Sequence, residues 1–216
     1  MSAGSDLFSH QLAPDGVRGL GAAIAGGNPK VARRAHDFYP TPPDATRALI
    51  VAEMDHLRGR TIWEPCARGG AILRVLREHS LRSIGTDIVA DPEHGVTGQD
   101  LLTATVAHST HVLTNMPFAL ARRMVGHLWN GLRVDYMALL FKVQFLNCGK
   151  GAALYASCPP TRRWDLTWRL DFTGGGNPTM DCCWLVWDRG ANQRDFGLLN
   201  KSGPVLPICD DLFAKA

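Results

Sequence analysis

A chain of 216 residues that is 45% hydrophobic and 20% charged fits one globular domain of ordinary core size. Its net charge of +3 permits a basic patch without demanding one, and no apolar run approaches the roughly 20 residues that a membrane span requires. The N-terminus lacks the basic-then-apolar order of a secretory signal, and the six cysteines show no paired CxxC spacing, so a cytoplasmic protein in a reduced compartment, without a metal, is expected.

Residues 1–35 are rich in Gly, Ala and Ser, show little periodicity, and end with Lys30, Arg33 and Arg34 just before His36. A mobile arm is expected there. Arg33 and Arg34 are candidates for nucleic-acid contact, since each cation that neutralises a phosphate releases counterions; a solvated tail fits the same residues. Next come two aromatics, Phe38 and Tyr39, and a stiff proline turn through Pro40, Pro42 and Pro43, which is neither helix interior nor central strand. Thr41 or Asp44 would cap the helix that follows, and Leu49, Ile50, Met54 and Leu57 give it one apolar side to lay on a sheet.

Thr61-Ile62-Trp63 is a short β-prone run that breaks at Glu64-Pro65-Cys66-Ala67-Arg68-Gly69-Gly70. Ile72, Val75, Leu76 and His79 then repeat at helical steps, and a second run from Arg82 to Gly85 reaches Thr86-Asp87. Strand, helix and strand form a βαβ unit with parallel strands and a right-handed crossover. Ligands of open α/β sheets lie beyond the carboxyl ends of the strands, where the glycine turn and Asp87 both fall. An acid there suits a ribose diol, because a charged acceptor facing a hydroxyl contributes roughly 1.5 to 3 kcal/mol. A tight turn with a solvated Asp fits equally. The glycine spacing is not that of the dinucleotide fingerprint, which disfavours hydride transfer.

A polar loop through Pro92, Gly95 and Gly98 leads to Gln99-Asp100-Leu101-Leu102. In a nucleoside site an acceptor at Asp100 would meet an adenine amino group; it would also serve as a helix cap. His111 to Phe118, HVLTNMPF, is an apolar run stopped by Pro117, and Met124, Val125, Leu128 and Leu132 mark a helix behind it. Tyr136 to Phe141 reads as a fully buried strand of a sheet covered on both faces. Ala152 to Ser157 reads as helix. Residues 161–169 mix cations and indoles with partial alternation, and a glycine turn at 174–178 leads to CCWLVW at 182–187. Arg162, Arg163 and Arg169, with the loop at 173–180, are candidates for DNA backbone contact; Trp164 and Trp168 as the core of an edge strand with solvated arginines outside is an equal alternative. From Gly190 onward the chain looks loop-rich. Three segments follow: an arm at 1–35, a domain at 36–190, and a tail at 191–216 that packs on the domain.

The order of these pieces resembles S-adenosylmethionine-dependent amino-methyltransferases, most closely the small phage-type DNA adenine methyltransferases. The resemblance runs from about Asp37 to Arg189 and is carried by DFYPTP at 37–42, IWEPCARGG at 62–70, GTDI at 85–88 with QDLL at 99–102, and TNMPF at 114–118. It implies a single Rossmann-like α/β domain: a mostly parallel seven-stranded sheet with an antiparallel edge strand and helices on both faces. It also implies S-adenosylmethionine as cofactor, held by Tyr39, Pro40, Thr41, Glu64, Pro65, Cys66, Ala67, Arg68, Gly69, Gly70, Asp87, Ile88, Asp100, Leu101 and Asn115. The family's catalytic tetrapeptide is Asp/Asn-Pro-Pro-Tyr/Phe, and Asn115-Met116-Pro117-Phe118 looks like a variant of it. Two departures stand out. Arg68 replaces a usual glycine, which would crowd the methionine moiety or pair with its carboxylate. Met116 replaces a proline, but the role at that position belongs to a backbone carbonyl, which any residue supplies.

The implied chemistry meets a physical need. An exocyclic base amine is a poor nucleophile, because its lone pair is delocalised into the ring. Asn115 and the Met116 carbonyl would accept its two hydrogens and favour a pyramidal nitrogen, so that positioning and polar preorganisation carry catalysis. A base in a duplex must first be rotated out, at a cost of a few kcal/mol, and stacking on Phe118, worth roughly 1 to 3 kcal/mol, would offset part of that. No stretch is long enough for a large target-recognition domain, so short or loose specificity on a DNA substrate is expected. The same chemistry on cytosine N4, RNA adenine or protein glutamine, and a non-catalytic nucleic-acid-binding relative, are the alternatives.

Overall fold

The computed structural model describes residues 39–205, apart from 148, 177 and 179; the expected N-terminal arm, with Arg33 and Arg34, and the last part of the expected tail lie outside these residues. The first element, α1 (Pro43–Leu57), starts at a proline whose missing N–H would have been unpaired in any case. Neither expected side chain caps it. Asp44 instead accepts from the N–H of Ala45 at 2.9 Å inside the first turn, and the Thr41 hydroxyl is engaged elsewhere.

The chain then alternates as read. β1 (Thr61–Glu64) leads through a single 3-10 turn to α2 (Ala71–Glu78) and β2 (Arg82–Asp87). The turn needs glycine, since Gly69 and Gly70 have φ of 74° and 59°, in the left-handed region that side chains disfavour. A short β3 (Val96–Gly98) forms within the stretch read as polar loop. β4 (His111–Thr114) is followed by α3 (Ala121–Gly126), which runs on into a π turn over His127–Gly131. β5 (Tyr136–Lys142), buried at every position but its last, leads to a 3-10 turn at Val143–Leu146 and to α4 (Gly149–Ser157). The described part closes with β6 (Arg162–Leu166), β7 (Cys182–Asp188), β8 (Asp195–Asn200) and β9 (Gly203–Pro204).

All the strands lie in one sheet, in the order β3-β2-β1-β4-β5-β7-β6-β8-β9. From β3 to β5 the pairing is parallel; β7 runs antiparallel between β5 and β6, and β9 ends the sheet antiparallel to β8. Consecutive residues of each central strand point to opposite faces. Ile62, Leu113, Leu140 and Trp184 pack under α1 and α2, while Trp63, Val112, Phe141 and Trp187 pack under α3 and α4. With α1 and α2 on one face and α3 and α4 on the other, β1, β4 and β5 are covered on both faces.

The seven strands expected are corrected to nine, because β8 and β9 fall in the stretch read as a loop-rich tail. The reason is physical. On β8 only Leu199 is buried, Phe196 and Leu198 stay exposed, and Gly197 lies flat against the Trp164 ring, where an added Cβ would come within 2.2 Å of it. Half an alternation, interrupted by a glycine, gives no readable period.

Candidate active site

Because β1, β2, β4 and β5 are parallel, their last residues meet along one edge of the sheet, and these include Glu64, Asp87, Thr114 with the following Asn115, and Lys142. The half of this edge that spans β1 to β3 is acidic. Glu64 is buried, its Oε2 accepts the N–H of Leu73 at 3.1 Å in the first turn of α2, and burial pushes its carboxyl well above the usual range. Asp87 receives the N–H groups of Arg68 at 3.3 Å and Val89 at 3.0 Å on its two oxygens. Asp100 caps the short turn at Leu101–Thr103 through the N–H of Leu102 at 2.9 Å, so one of its two expected roles is filled.

Cys66 sits among these acids. Burial pushes its thiol far up, and the acids Asp87, Glu64 and Asp100 add to the shift. The thiol is therefore kept protonated and is no nucleophile. Ile88, next to Asp87 in the chain, is 60% exposed, whereas Leu101 is core.

The centre of the edge is the tetrapeptide. Asn115 donates from Nδ2 to Oγ1 of the buried Thr41 at 3.1 Å, which joins segments 74 residues apart and seats the proline lead-in, with Tyr39 and Pro40, against the end of β4. With the donor end of the amide held there, its oxygen is the end that can receive an N–H. Met116 is 2% exposed; its side chain anchors the segment in the core and leaves only its backbone for chemistry. Pro117 accepts from the N–H of Leu120 at 3.0 Å in the turn that starts α3. Phe118 packs against the same core cluster, with Nζ of Lys142 5.5 Å from its ring centroid.

Two residues escaped the sequence reading. Lys142 is the charged last residue of the otherwise buried strand β5, and with β5 parallel to β4 that position lies on the carboxyl edge; a cation closing an apolar run was the signal available for it. Asp91 had no such signal. Its carboxylate takes the N–H of Gly69 and the nearby His94 ring nitrogen, both at 2.9 Å, and it is the fold that brings Gly69, 22 residues away, to it. The His94 bond, and after it the Gly69 N–H, hold the Asp91 carboxyl below the usual range.

The arginines expected on DNA divide. Arg162 pairs in register with Val186 and Arg163 with Leu185, and through Ala138 and Leu139 of β5 these positions are level with Leu113 and Thr114 at the end of β4, three strands away. Arg162 is turned onto the fold's own carboxylates. Its guanidinium holds both Glu53 oxygens, at 2.9 and 2.8 Å, and Asp188 at 3.0 and 3.1 Å, and these partners raise its pKa despite burial. Arg163 is engaged by Asp165 at 2.9 Å. Arg169 alone of the three follows the carboxyl end of β6; it is exposed and paired with Asp181 at 3.0 Å. The loop beyond it is tied by Asp171, which accepts the N–H groups of Thr173, Gly174 and Gly176.

The fold superposes on those of solved methyltransferases. A provisionally assigned RNA methyltransferase from Pyrococcus horikoshii superposes with a TM-score of 0.55 at 12% identity, over 79% of this chain and 96% of that one. A provisionally assigned type I restriction enzyme modification subunit from Vibrio vulnificus gives 0.53 at 14% identity, over 74% and 47%. A provisionally assigned class I S-adenosylmethionine-dependent methyltransferase from Listeria monocytogenes gives 0.52 at 12% identity, over 84% and 72%. The chain thus spans about half the length of the modification subunit, 47% of it. At these identities the likeness is one of fold: the chain has the architecture of class I S-adenosylmethionine-dependent methyltransferases. No protein-family model and no curated protein matches the sequence.

Proposed function

We propose that the protein transfers a methyl group from S-adenosylmethionine to the exocyclic N6 amine of adenine in DNA, taking the base out of the helix and recognising a short or loose site. The observation that carries this reading is Asn115. Its amide stands at the carboxyl end of β4, fixed by Thr41, between an acidic half-crevice and an aromatic ring. The modification subunit of a restriction enzyme among the fold's neighbours agrees with a DNA acceptor. The RNA methyltransferase among them, matched over 96% of its length, favours RNA adenine as the second reading.

The residues present fit S-adenosylmethionine. A glycine turn with left-handed φ lets a ligand approach the backbone, and Asp87 ends β2, where a ribose diol would be gripped. A rim of carboxyl groups at 87, 91 and 100 favours a ligand that carries positive charge. When bound, S-adenosylmethionine supplies a methyl group already activated on a sulfonium. The chain's own residues then have three tasks. Asn115 and the Met116 carbonyl accept the amine's hydrogens and direct its lone pair. Phe118 replaces the lost base stacking. The buried Cys66 presents no competing thiolate, since burial raises its pKa.

The test is incubation with labelled S-adenosylmethionine and unmethylated DNA or RNA, followed by digestion and identification of the labelled unit. N6-methyladenine in DNA is the expected product, and its absence alongside label in RNA moves the acceptor. Transfer retained in Asn115→Ala removes Asn115 from the mechanism.

A further inference from the structure

Beside Asn115, the second half of the carboxyl edge has the opposite character from the first. Lys142 ends β5 and pairs in register with Cys182; the next residue, Val143, donates its N–H to the Asp181 carbonyl at 3.1 Å; and the Asp181 carboxylate holds Arg169 at 3.0 Å. These three links place Lys142 and Arg169 at one corner, next to Phe118. The two cations differ in what holds them. Arg169 has an exposed carboxylate partner, whereas Lys142 forms no ion pair among the described residues and rests over the Phe118 ring, 5.5 Å from its centroid. A cation over a surface ring is held more weakly than a base stacked on the same ring.

We propose that Lys142, seconded by Arg169, grips the backbone phosphate next to the acceptor base. The inference rests on the reading given under Proposed function and names the contact by which that site holds its polyanionic substrate. A nucleotide stacked on Phe118 keeps its own phosphate within one nucleotide's length of the ring, which is the reach of a lysine already lying there. The edge of the sheet is then sorted by charge on either side of Asn115, with carboxyl groups toward the cationic donor and ammonium and guanidinium toward the nucleic acid. Arg162 and Arg163 are already held by carboxylates, at Glu53 and Asp188 and at Asp165, whereas Lys142 is not, which favours this corner for the phosphate grip.

The experiment is fluorescence-anisotropy binding of the full chain to a labelled, unmethylated adenine-containing duplex across a salt series, for wild type, Lys142→Met, Lys142→Arg and Asn115→Ala. Each phosphate neutralised contributes about 0.9 to the slope of log K against log salt on duplex DNA, or about 0.7 on a single strand. Lys142→Met should lower the slope by that amount, Lys142→Arg should restore it, Asn115→Ala should leave it unchanged, and the affinity of Lys142→Met for S-adenosylmethionine should equal that of wild type. A Lys142→Met slope equal to wild type, with N6 transfer intact, overturns this inference alone. Wild type that neither binds DNA or RNA nor methylates it overturns the reading on which the inference rests, and the inference with it.

Discussion

The two ends of one sheet collect charged side chains in different ways. At the amino end, Glu53, 1% exposed, accepts two bonds from Arg162, one from the Tyr136 hydroxyl at 3.0 Å and one from the Trp164 indole at 2.7 Å, and Asp188 closes the set. Within this cluster each charge is answered by another side chain. At the carboxyl end, Asp87 and Asp100 are answered only by backbone N–H groups and Lys142 only by a ring, so both signs remain available to a ligand. A closed network holds the fold together, and an open one is where binding happens.

If this contrast is right, Glu53→Ala produces the largest change in stability and none in chemistry. It leaves Arg162 with one carboxylate and the Tyr136 and Trp164 donors without partners, and removal of one member of a buried pair costs roughly 3 to 5 kcal/mol. Urea denaturation checks it. A stable Glu53→Ala variant that no longer transfers methyl groups would break the comparison. Asn115→Ala is the converse case. Loss of a positioned polar group at the reacting atom costs about 10²- to 10³-fold in kcat, while the half-buried amide has little effect on the denaturation midpoint. Single-turnover transfer and denaturation of the same preparation separate the two.

Asp87→Ala sharpens the acidic half. A hydrogen bond from a ligand hydroxyl to a carboxylate is worth roughly 1.5 to 3 kcal/mol, so titration calorimetry should show S-adenosylmethionine bound at least tenfold more weakly, with the salt slope for DNA unchanged.

The acidic half was legible in the sequence because it is local. Ile62 to Asp87 is one βαβ unit, and its turn, glycines and terminal acid follow from spacing alone. The tetrapeptide was legible for a similar reason, since an apolar run stopped by Pro117 must end at a strand terminus. The basic half was not. Two strands of opposite direction, β6 and β7, decide which of the arginines at 162, 163 and 169 reaches the carboxyl edge, and direction leaves no trace in a period of two. Cation-and-indole alternation pointed to β6 as a strand but gave no sign of the partners of its arginines, because Arg162 alternates with Trp164 and Leu166 toward α1, where Glu53 waits. Thr41 was misread as a cap because its partner, Asn115, is 74 residues away.

The smallest effect expected lies where the acidic half meets its glycine turn. His94 packs so closely on Gly70 that a Cβ added to that glycine would come within 2.9 Å of it, and Asp91 fixes the arrangement by holding both the His94 ring and the Gly69 N–H. These bonds depress the Asp91 carboxyl below its ordinary value of 3.8. The unfolded chain therefore takes up the proton at a higher pH than the folded one, so this contribution to stability is present above about pH 4 and is lost as pH falls through the folded value. Asp91→Asn lacks that contribution at every pH. Its melting temperature should lie slightly below that of wild type at pH 6, and the gap should close on acidification through the region below pH 4. A gap that stays constant would assign the role of Asp91 to shape alone; one that widens would mean that the carboxylate is unfavourable where it stands.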